Sequence, residues 1–474
     1  MQDRALASNC RAFWAGWPLL ALTVAAPALG LGGCRQQGPL SDEEMDQLRL
    51  FVLPAGPPAD PSNAYADDPA AAALGKKLYF ETRYSGALLA PYNVADVNGA
   101  LGAAGESGKV GCASCHDPAT AGADLRSRPN QTSLGASYTT RNAPTVINAA
   151  YSPAWQFWDG RTDSLWSQAL IPPEGTAECA SSRLKVVHVL YDNYRAEFEA
   201  VFGAGALPPS IAAMPANGMP GTNPDPSMKC TPGAAGEPFN DDYDCLLSDS
   251  DREVVNRAYA NFGKAIEAYE RLLISNNFEP SPFDRFMAGE TAAMEPAAIR
   301  GARLFVGHAG CAECHRGSTF TDFGFHNIGV PQSGQYVPAT DAGRFDGVAA
   351  LITTNPNVVR FDRGSDFSDA KDSTVLLTLG TTAPTSATGQ FKTPTLRNVS
   401  KTAPYMHDGA YQTLWEVVNH YNFGGATGNY AGERDPAIAP LMLTDAELGD
   451  LVEFLEALED GPLRSTVDQA LLKR

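Results

Sequence analysis

Two pentapeptides in this chain have the composition and spacing for one particular chemistry: Cys112-Ala113-Ser114-Cys115-His116 and Cys311-Ala312-Glu313-Cys314-His315. In a C-x-x-C-H run the two thiols form thioethers with haem vinyl groups and the adjoining imidazole ligates the iron. A zinc knuckle or a redox dithiol draws on the same residue types. Two copies in one exported chain weigh against both. The spacing therefore predicts two covalently attached c-type haems, held by Cys112, Cys115 and His116 and by Cys311, Cys314 and His315.

A helix must present each motif. Leu74, Leu78, Tyr79 and Phe80 precede the first, in a helix predicted over 68–80, and Ala302, Leu304 and Phe305 precede the second. The repeat is a helix followed by C-x-x-C-H, with a longer Gly-rich insertion in the first copy. A second helix is predicted over 249–275, where Val254, Val255, Ala258, Phe262, Ile266, Tyr269 and Leu273 recur at helical spacing. Thr444-Asp445-Ala446-Glu447 is a capping box opening a third, with Leu448, Leu451, Val452, Leu455 and Leu458 on one face. Strand signals are sparse apart from Ser373 to Leu379. The fold class is mainly α, as two cytochrome-c-like haem domains packed face to face.

The first residues read as an export signal, 1–33, with Arg4 and Arg11 ahead of an apolar stretch from Trp14 to Leu31. Leu31-Gly32-Gly33-Cys34 resembles a lipoprotein processing box, which would leave Cys34 lipidated and the chain tethered to a membrane in the periplasm. Simple cleavage to a soluble periplasmic protein is the other reading. Residues 34–66, Pro-rich from Ser41 to Asn63, read as a linker, 67–280 as the N-terminal haem domain and 281–474 as the C-terminal one. Dense Pro, Gly and Asn mark 203–244 as an inserted loop.

The formal charge of −19 in 474 residues argues against nucleic acid as a partner and suits a small basic electron donor. Of nine cysteines, Cys10 leaves with the signal, and Cys179, Cys230 and Cys245 remain beside the haem-binding four and Cys34. An oxidising compartment favours a disulfide between Cys230 and Cys245, leaving Cys179 unpaired.

Four further blocks follow in order: Arg141-Asn142-Ala143-Pro144-Thr145; Phe157-Trp158-Asp159-Gly160-Arg161; Phe391-Lys392-Thr393-Pro394-Thr395-Leu396-Arg397-Asn398; and Thr402-Ala403-Pro404-Tyr405-Met406-His407-Asp408-Gly409. With the two haem motifs they resemble the bacterial di-haem cytochrome c peroxidase and MauG family over about residues 70 to 460. The resemblance implies that the first haem, on His116, reacts with peroxide and that the second, on His315, passes electrons to it. It implies a distal acid at Glu178, with Glu174 in reach if the register shifts, and partners at Gln168 and Pro172. Heterolysis of peroxide needs such an acid, because a proton must leave the near oxygen and reach the departing one.

No histidine lies between His116 and Asn142, so the removable distal ligand of some relatives is missing and the first iron is expected to be five-coordinate. For the second iron, the position where the usual peroxidase has methionine is Tyr421, as in MauG-like enzymes. A phenolate is a hard anionic donor that lowers the potential relative to methionine. Thr413-Leu414-Trp415-Glu416 is a capping box, after which Leu414, Val417, Val418 and Tyr421 share a face and His420 is turned roughly 100° away. Met406 and His420 stay open as rival ligands, and Tyr421 as a plain core tyrosine. By the same resemblance Trp158 relays charge between the haems, and Asn142, Thr402 and Pro404 hold a structural Ca2+.

The function implied is a periplasmic peroxidase that reduces hydrogen peroxide to water through high-valent iron shared between two haems. Its electrons would come from a small c-type cytochrome or a cupredoxin. One alternative spends the oxidising equivalents on tryptophan or tyrosine of a partner protein, as MauG does. The other is a non-catalytic electron-transfer cytochrome with both irons six-coordinate.

Overall fold

In the computed structural model the helices are started by the residues that the capping rules favour. Residues 39–90, 92, 99–124, 126, 131–218, 247–352, 359–372 and 374–474 are described; the export signal, Cys34, Cys230 and Cys245 lie outside them. Helix α1 (Asp42–Arg49) opens on a capping box between Ser41 and Glu44. Helix α2 (Pro69–Tyr79) is capped by the Asp68 carboxylate, which accepts from the amides of Ala70 and Ala71, with Pro69 in the first turn. Then come α3 (Arg183–Phe202), α4 (Asp249–Glu270), α5 (Pro296–Val306), α6 (Leu414–Asn422) and α7 (Asp445–Glu456). Capping boxes at Thr413 and Thr444 open the last two. No described helix is long and apolar enough to cross a membrane.

The architecture is mainly α. Its described sheet is the antiparallel pair β1 (Phe325–His326) and β2 (Phe391–Lys392). The strand expected over 373–379 is instead a 3-10 turn at Leu376–Leu379. The correction has a simple cause: Leu377 is 78% exposed and no neighbouring strand offers a ladder, so β-propensity has no packed face to act on.

Residues 39–474 form one compact unit with two main apolar cores. The first gathers Leu74 and Tyr79 of α2 with Tyr259, Phe262 and Ile266 of α4. The second gathers Ala302 and Phe305 of α5 with Leu451 and Phe454 of α7, around Phe283 and Phe320. Each half of the chain lends a segment to the other's core. The lead-in expected as a linker sends Leu48 and Phe51 into the second core, fixed by Arg303 on Glu44 (2.8 Å) and Arg397 on the Phe51 carbonyl (2.9 Å). In return Phe367 and Leu471 enter the first core, and Tyr269 donates to the Leu471 carbonyl at 2.7 Å. A cut at residue 280 thus describes the haem motifs but not the cores.

Candidate haem sites

The first motif occupies one helical turn, Cys112–Cys115, with His116 at its end. Tyr79, at the close of α2, donates to the His116 carbonyl at 2.6 Å and so ties the motif to its preceding helix. Cys112 and Cys115 are free thiols, each pushed up to about 12 chiefly by burial. Burial pushes the His116 pKa down, opposed by the backbone at Pro144 and Gly122, and its Nδ1 is buried without a close hydrogen bond.

Glu178 follows the short turn Ile171–Glu174. Its backbone is clamped on both sides: its amide donates to the Gly175 carbonyl (3.1 Å) and its carbonyl accepts from Ala136 (2.7 Å). Burial raises its carboxyl pKa, with the Arg161 charge opposing, and its own charge is felt at Cys112 and Cys115. The Glu178 carboxylate lies over Gly175, where a Cβ would sit 2.3 Å from it and would have to displace it. Glu174, the competing acid, is held in a fork by Arg183 at 2.7 and 2.8 Å. That ion pair takes it out of competition. Gln168 ends the turn Leu165–Gln168 just upstream, and the Pro172 carbonyl accepts from Cys179 at 3.1 Å. Cys179 is buried as a free thiol.

The second motif borders a cavity of about 200 Å3, lined by Cys311, Cys314, His315, Trp158, Met406 and Tyr421 among mostly apolar neighbours. His315 Nδ1 meets the Phe320 carbonyl at 2.9 Å, which fixes the ring and leaves Nε2 as its ligating nitrogen. Tyr421 lines the same cavity on α6, and its phenol pKa is raised by burial and then by Cys311 and Cys314. His420 has no nitrogen to spare: Nδ1 meets Tyr411 at 2.9 Å and Nε2 the Ile328 carbonyl at 3.0 Å. Of the three candidate ligands, Tyr421 and Met406 line the cavity.

Trp158 lines the cavity of the second motif. Its Nε1 donates to the Asn142 carbonyl at 2.8 Å, and its ring meets His407 edge-on at 6.4 Å. Asn142 in turn places Nδ2 2.6 Å from the Pro404 carbonyl and its amide 2.6 Å from the His407 carbonyl. The Thr402 hydroxyl donates to the Val399 carbonyl.

Sequence reasoning passed over three features of these sites. Lys392, within a quoted block, lines the second cavity and is pushed down to about 8 by burial. His407 stacks on Phe391 at 3.7 Å, meets Gln332 at 2.7 Å and is pushed down to about 3 by burial. His326 lies between Asp435 (2.9 Å) and Asp322 (3.2 Å) beside Cys314. Lys392 and His407 stood in recognisable blocks and could have been found; the His326 cluster spans distant segments and carried no local signal.

The family model for di-haem cytochrome c peroxidase matches residues 69–219. Cytochrome-c peroxidase IdrP1 of Denitromonas iodatirespirans is 32% identical over 416 residues, covering 85% of this chain and 85% of that protein. Methylamine utilization protein MauG of Methylorubrum extorquens is 28% identical over 439 residues, 90% of this chain and 89% of its own. Among solved structures, the diheme peroxidase BthA from Burkholderia thailandensis superposes with a TM-score of 0.54 at 23% identity, over 89% of this chain and 95% of that one, a likeness of fold.

Proposed function

The chain belongs to the di-haem cytochrome c peroxidase and MauG family, and from that premise we propose that it reduces hydrogen peroxide to water at the haem on His116. Its electrons arrive through the haem on His315 from a small c-type cytochrome or cupredoxin in the periplasm. The observation that carries this reading is the pair of acids beside the first motif. Glu174 is locked by Arg183, whereas Glu178 is free of such a fork and has its pKa raised by burial.

The family implies two c-type haems, and the two C-x-x-C-H motifs, the His315 ring fixed by the Phe320 carbonyl and the apolar cavity beside it fit them. When bound, they supply the electron-transfer and peroxide-activating iron. The chain does the rest. A carboxyl raised above its ordinary range accepts a proton from the near peroxide oxygen and returns it to the departing one, so two electrons and two protons give two waters. Gln168 assists at the same face. Arg161, held by Asp159 at 3.1 Å and stacked on Phe157 at 3.6 Å, limits how far the Glu178 pKa rises. Tyr421 would ligate the second iron, and Trp158, lining the same cavity, would carry charge between the two sites.

By the family resemblance Asn142, Thr402 and Pro404 would hold a structural Ca2+; Asn142 and Pro404 are in direct contact, Nδ2 donating to the carbonyl at 2.6 Å. The leader tethers the mature chain through Cys34.

EPR of the resting ferric protein tests the reading, with one high-spin and one low-spin haem expected. Two low-spin signals alone would reduce the chain to an electron carrier. A tyrosine at position 421, lining the cavity of the second motif where the usual peroxidase has methionine, favours a second reading, in which the oxidising equivalents go to aromatic side chains of a partner protein. Steady-state peroxide turnover with a reduced small cytochrome separates the two: a negligible rate despite fast reaction with peroxide would favour the partner protein.

A further inference from the structure

Three tyrosines contributed by both halves of the chain meet at one half-buried place. Tyr138 and Tyr336 stack face to face, with ring centres 3.9 Å apart and planes within 7°. Tyr92 stands edge-on to both, at 5.9 and 5.4 Å. Most tyrosines of the first core are placed differently. Tyr79, Tyr259 and Tyr269 are fully buried, with hydroxyls spent on backbone carbonyls, and Tyr79 meets Tyr269 edge to face.

The stacked pair is wired to both candidate sites. Tyr138 pairs across an antiparallel bridge with Leu134, whose carbonyl faces the Cys115 sulfur at 3.8 Å. The residues just before it, Ala136 and Ser137, donate to the carbonyls of Glu178 and Ala177. Tyr336 stands on the loop that begins at Gln332. That loop is pinned to His407 at 2.7 Å and to Asn429 by two reciprocal bonds of 2.6 Å. His407 is the ring that meets Trp158.

We propose that Tyr138 and Tyr336 are a terminal oxidisable pair, to which the two oxidising equivalents of one peroxide run when no electron donor is bound, and that the two rings then couple to a dityrosine. The inference rests on the peroxidatic reading above. Each phenol loses one electron and one proton, and a carbon-carbon bond forms between the rings at the positions beside the hydroxyls. Peroxide takes up both electrons and both protons as its O-O bond breaks, giving two waters. The rings are half-buried, so solvent can receive the protons. Burial and the neighbouring phenols push the Tyr336 pKa up, which keeps that ring neutral at rest. Parallel contact is what permits coupling, because an edge-to-face pair holds those ring carbons apart.

The test uses the di-haem protein treated with one equivalent of hydrogen peroxide and no donor. Peptide mass spectrometry is expected to find residue 138 cross-linked to residue 336 with loss of two hydrogens, together with blue dityrosine fluorescence. Tyr138→Phe and Tyr336→Phe preserve the stacked rings and should keep both haem spectra while abolishing the cross-link. Haem bands that respond to peroxide while the pair stays intact, or fluorescence that persists in both variants, would overturn the inference and leave the peroxidatic reading standing. Haem bands that do not respond at all would fail the peroxidatic reading. A photogenerated one-electron oxidant then decides the pair by itself: a 138–336 cross-link supports it, and its absence overturns it.

Discussion

The helix before each haem motif crosses a later helix, and the two crossings share a register. Gly75 of α2 lies against Ala265 of α4, and Gly301 of α5 lies against Asp450 of α7, so closely that a Cβ would sit 1.7 and 1.9 Å from the facing carbonyl oxygens. Four residues further along all four helices, Tyr79 meets Tyr269 at 5.2 Å and Phe305 meets Phe454 at 5.1 Å. The backbone joint is the same, but its chemistry differs. The first crossing carries hydroxyls that bind the His116 and Leu471 carbonyls, and Glu270 follows Tyr269 where Leu455 follows Phe454. One scaffold thus holds a polar, proton-bearing surround for the first motif and a hydrocarbon one for the second. Glu178, whose charge is felt at Cys112 and Cys115, and Tyr421, which lines the apolar cavity of the second motif, extend that contrast.

The contrast breaks first at Glu178. Glu178→Gln keeps the shape and removes the proton, so the rate of reaction with peroxide is expected to fall by about 10²- to 10⁴-fold, read by stopped-flow, with both haem spectra intact. Unchanged kinetics would mean that the acid is elsewhere. At the second motif, Tyr421→His would exchange the proposed anionic ligand for a neutral one. It should abolish the oxidised state shared between the haems, followed by its near-infrared absorption, while peroxide still binds. Persistence of that band would leave Met406 as the ligand.

The shared joint makes the next prediction. Gly75→Ala and Gly301→Ala must each push two helices apart, and each is expected to cost about 3 kcal/mol of stability by denaturant unfolding. Equal losses would sharpen the view of one joint used twice. A neutral Gly75→Ala would show that the polar crossing is the looser.

Much of this was legible in the sequence, where a local rule applied. The haem motifs, the capping boxes at Thr413 and Thr444 and the apolar spacing of α4 all act over a few residues, and each element formed within a few residues of its expected bounds. Leu304 and Phe305 before the second motif announced the repeat; Gly75 and Gly301 did not, because a glycine shows its purpose only once its partner helix is in place. The exchange of Leu48 and Phe51 for Leu471 was hidden for the same reason. Proline masked a short capped helix in the lead-in, and long-range packing leaves no periodic trace. At the sites, Glu174 and Glu178 were separated only by finding Arg183, and His420 was removed as a ligand only by its two hydrogen bonds.

The mildest test falls on Glu270, the charged member of the first joint with no counterpart in the second. Its carboxyl is 3% exposed, one of its oxygens has no hydrogen-bond partner, and burial pushes its pKa up from 4.5 to about 8. Between those values the folded chain holds a proton that the unfolded chain has released. Stability from this group therefore falls as pH rises through the window and levels off above it. Glu270→Gln removes the titration while keeping the volume. The variant is expected to gain about 2 kcal/mol relative to the parent between pH 6 and 8, read as diverging thermal midpoints of the two proteins across that range. Parallel pH profiles would show that the carboxyl finds a proton or a partner through the whole range, and that the first joint is no more polar in effect than the second.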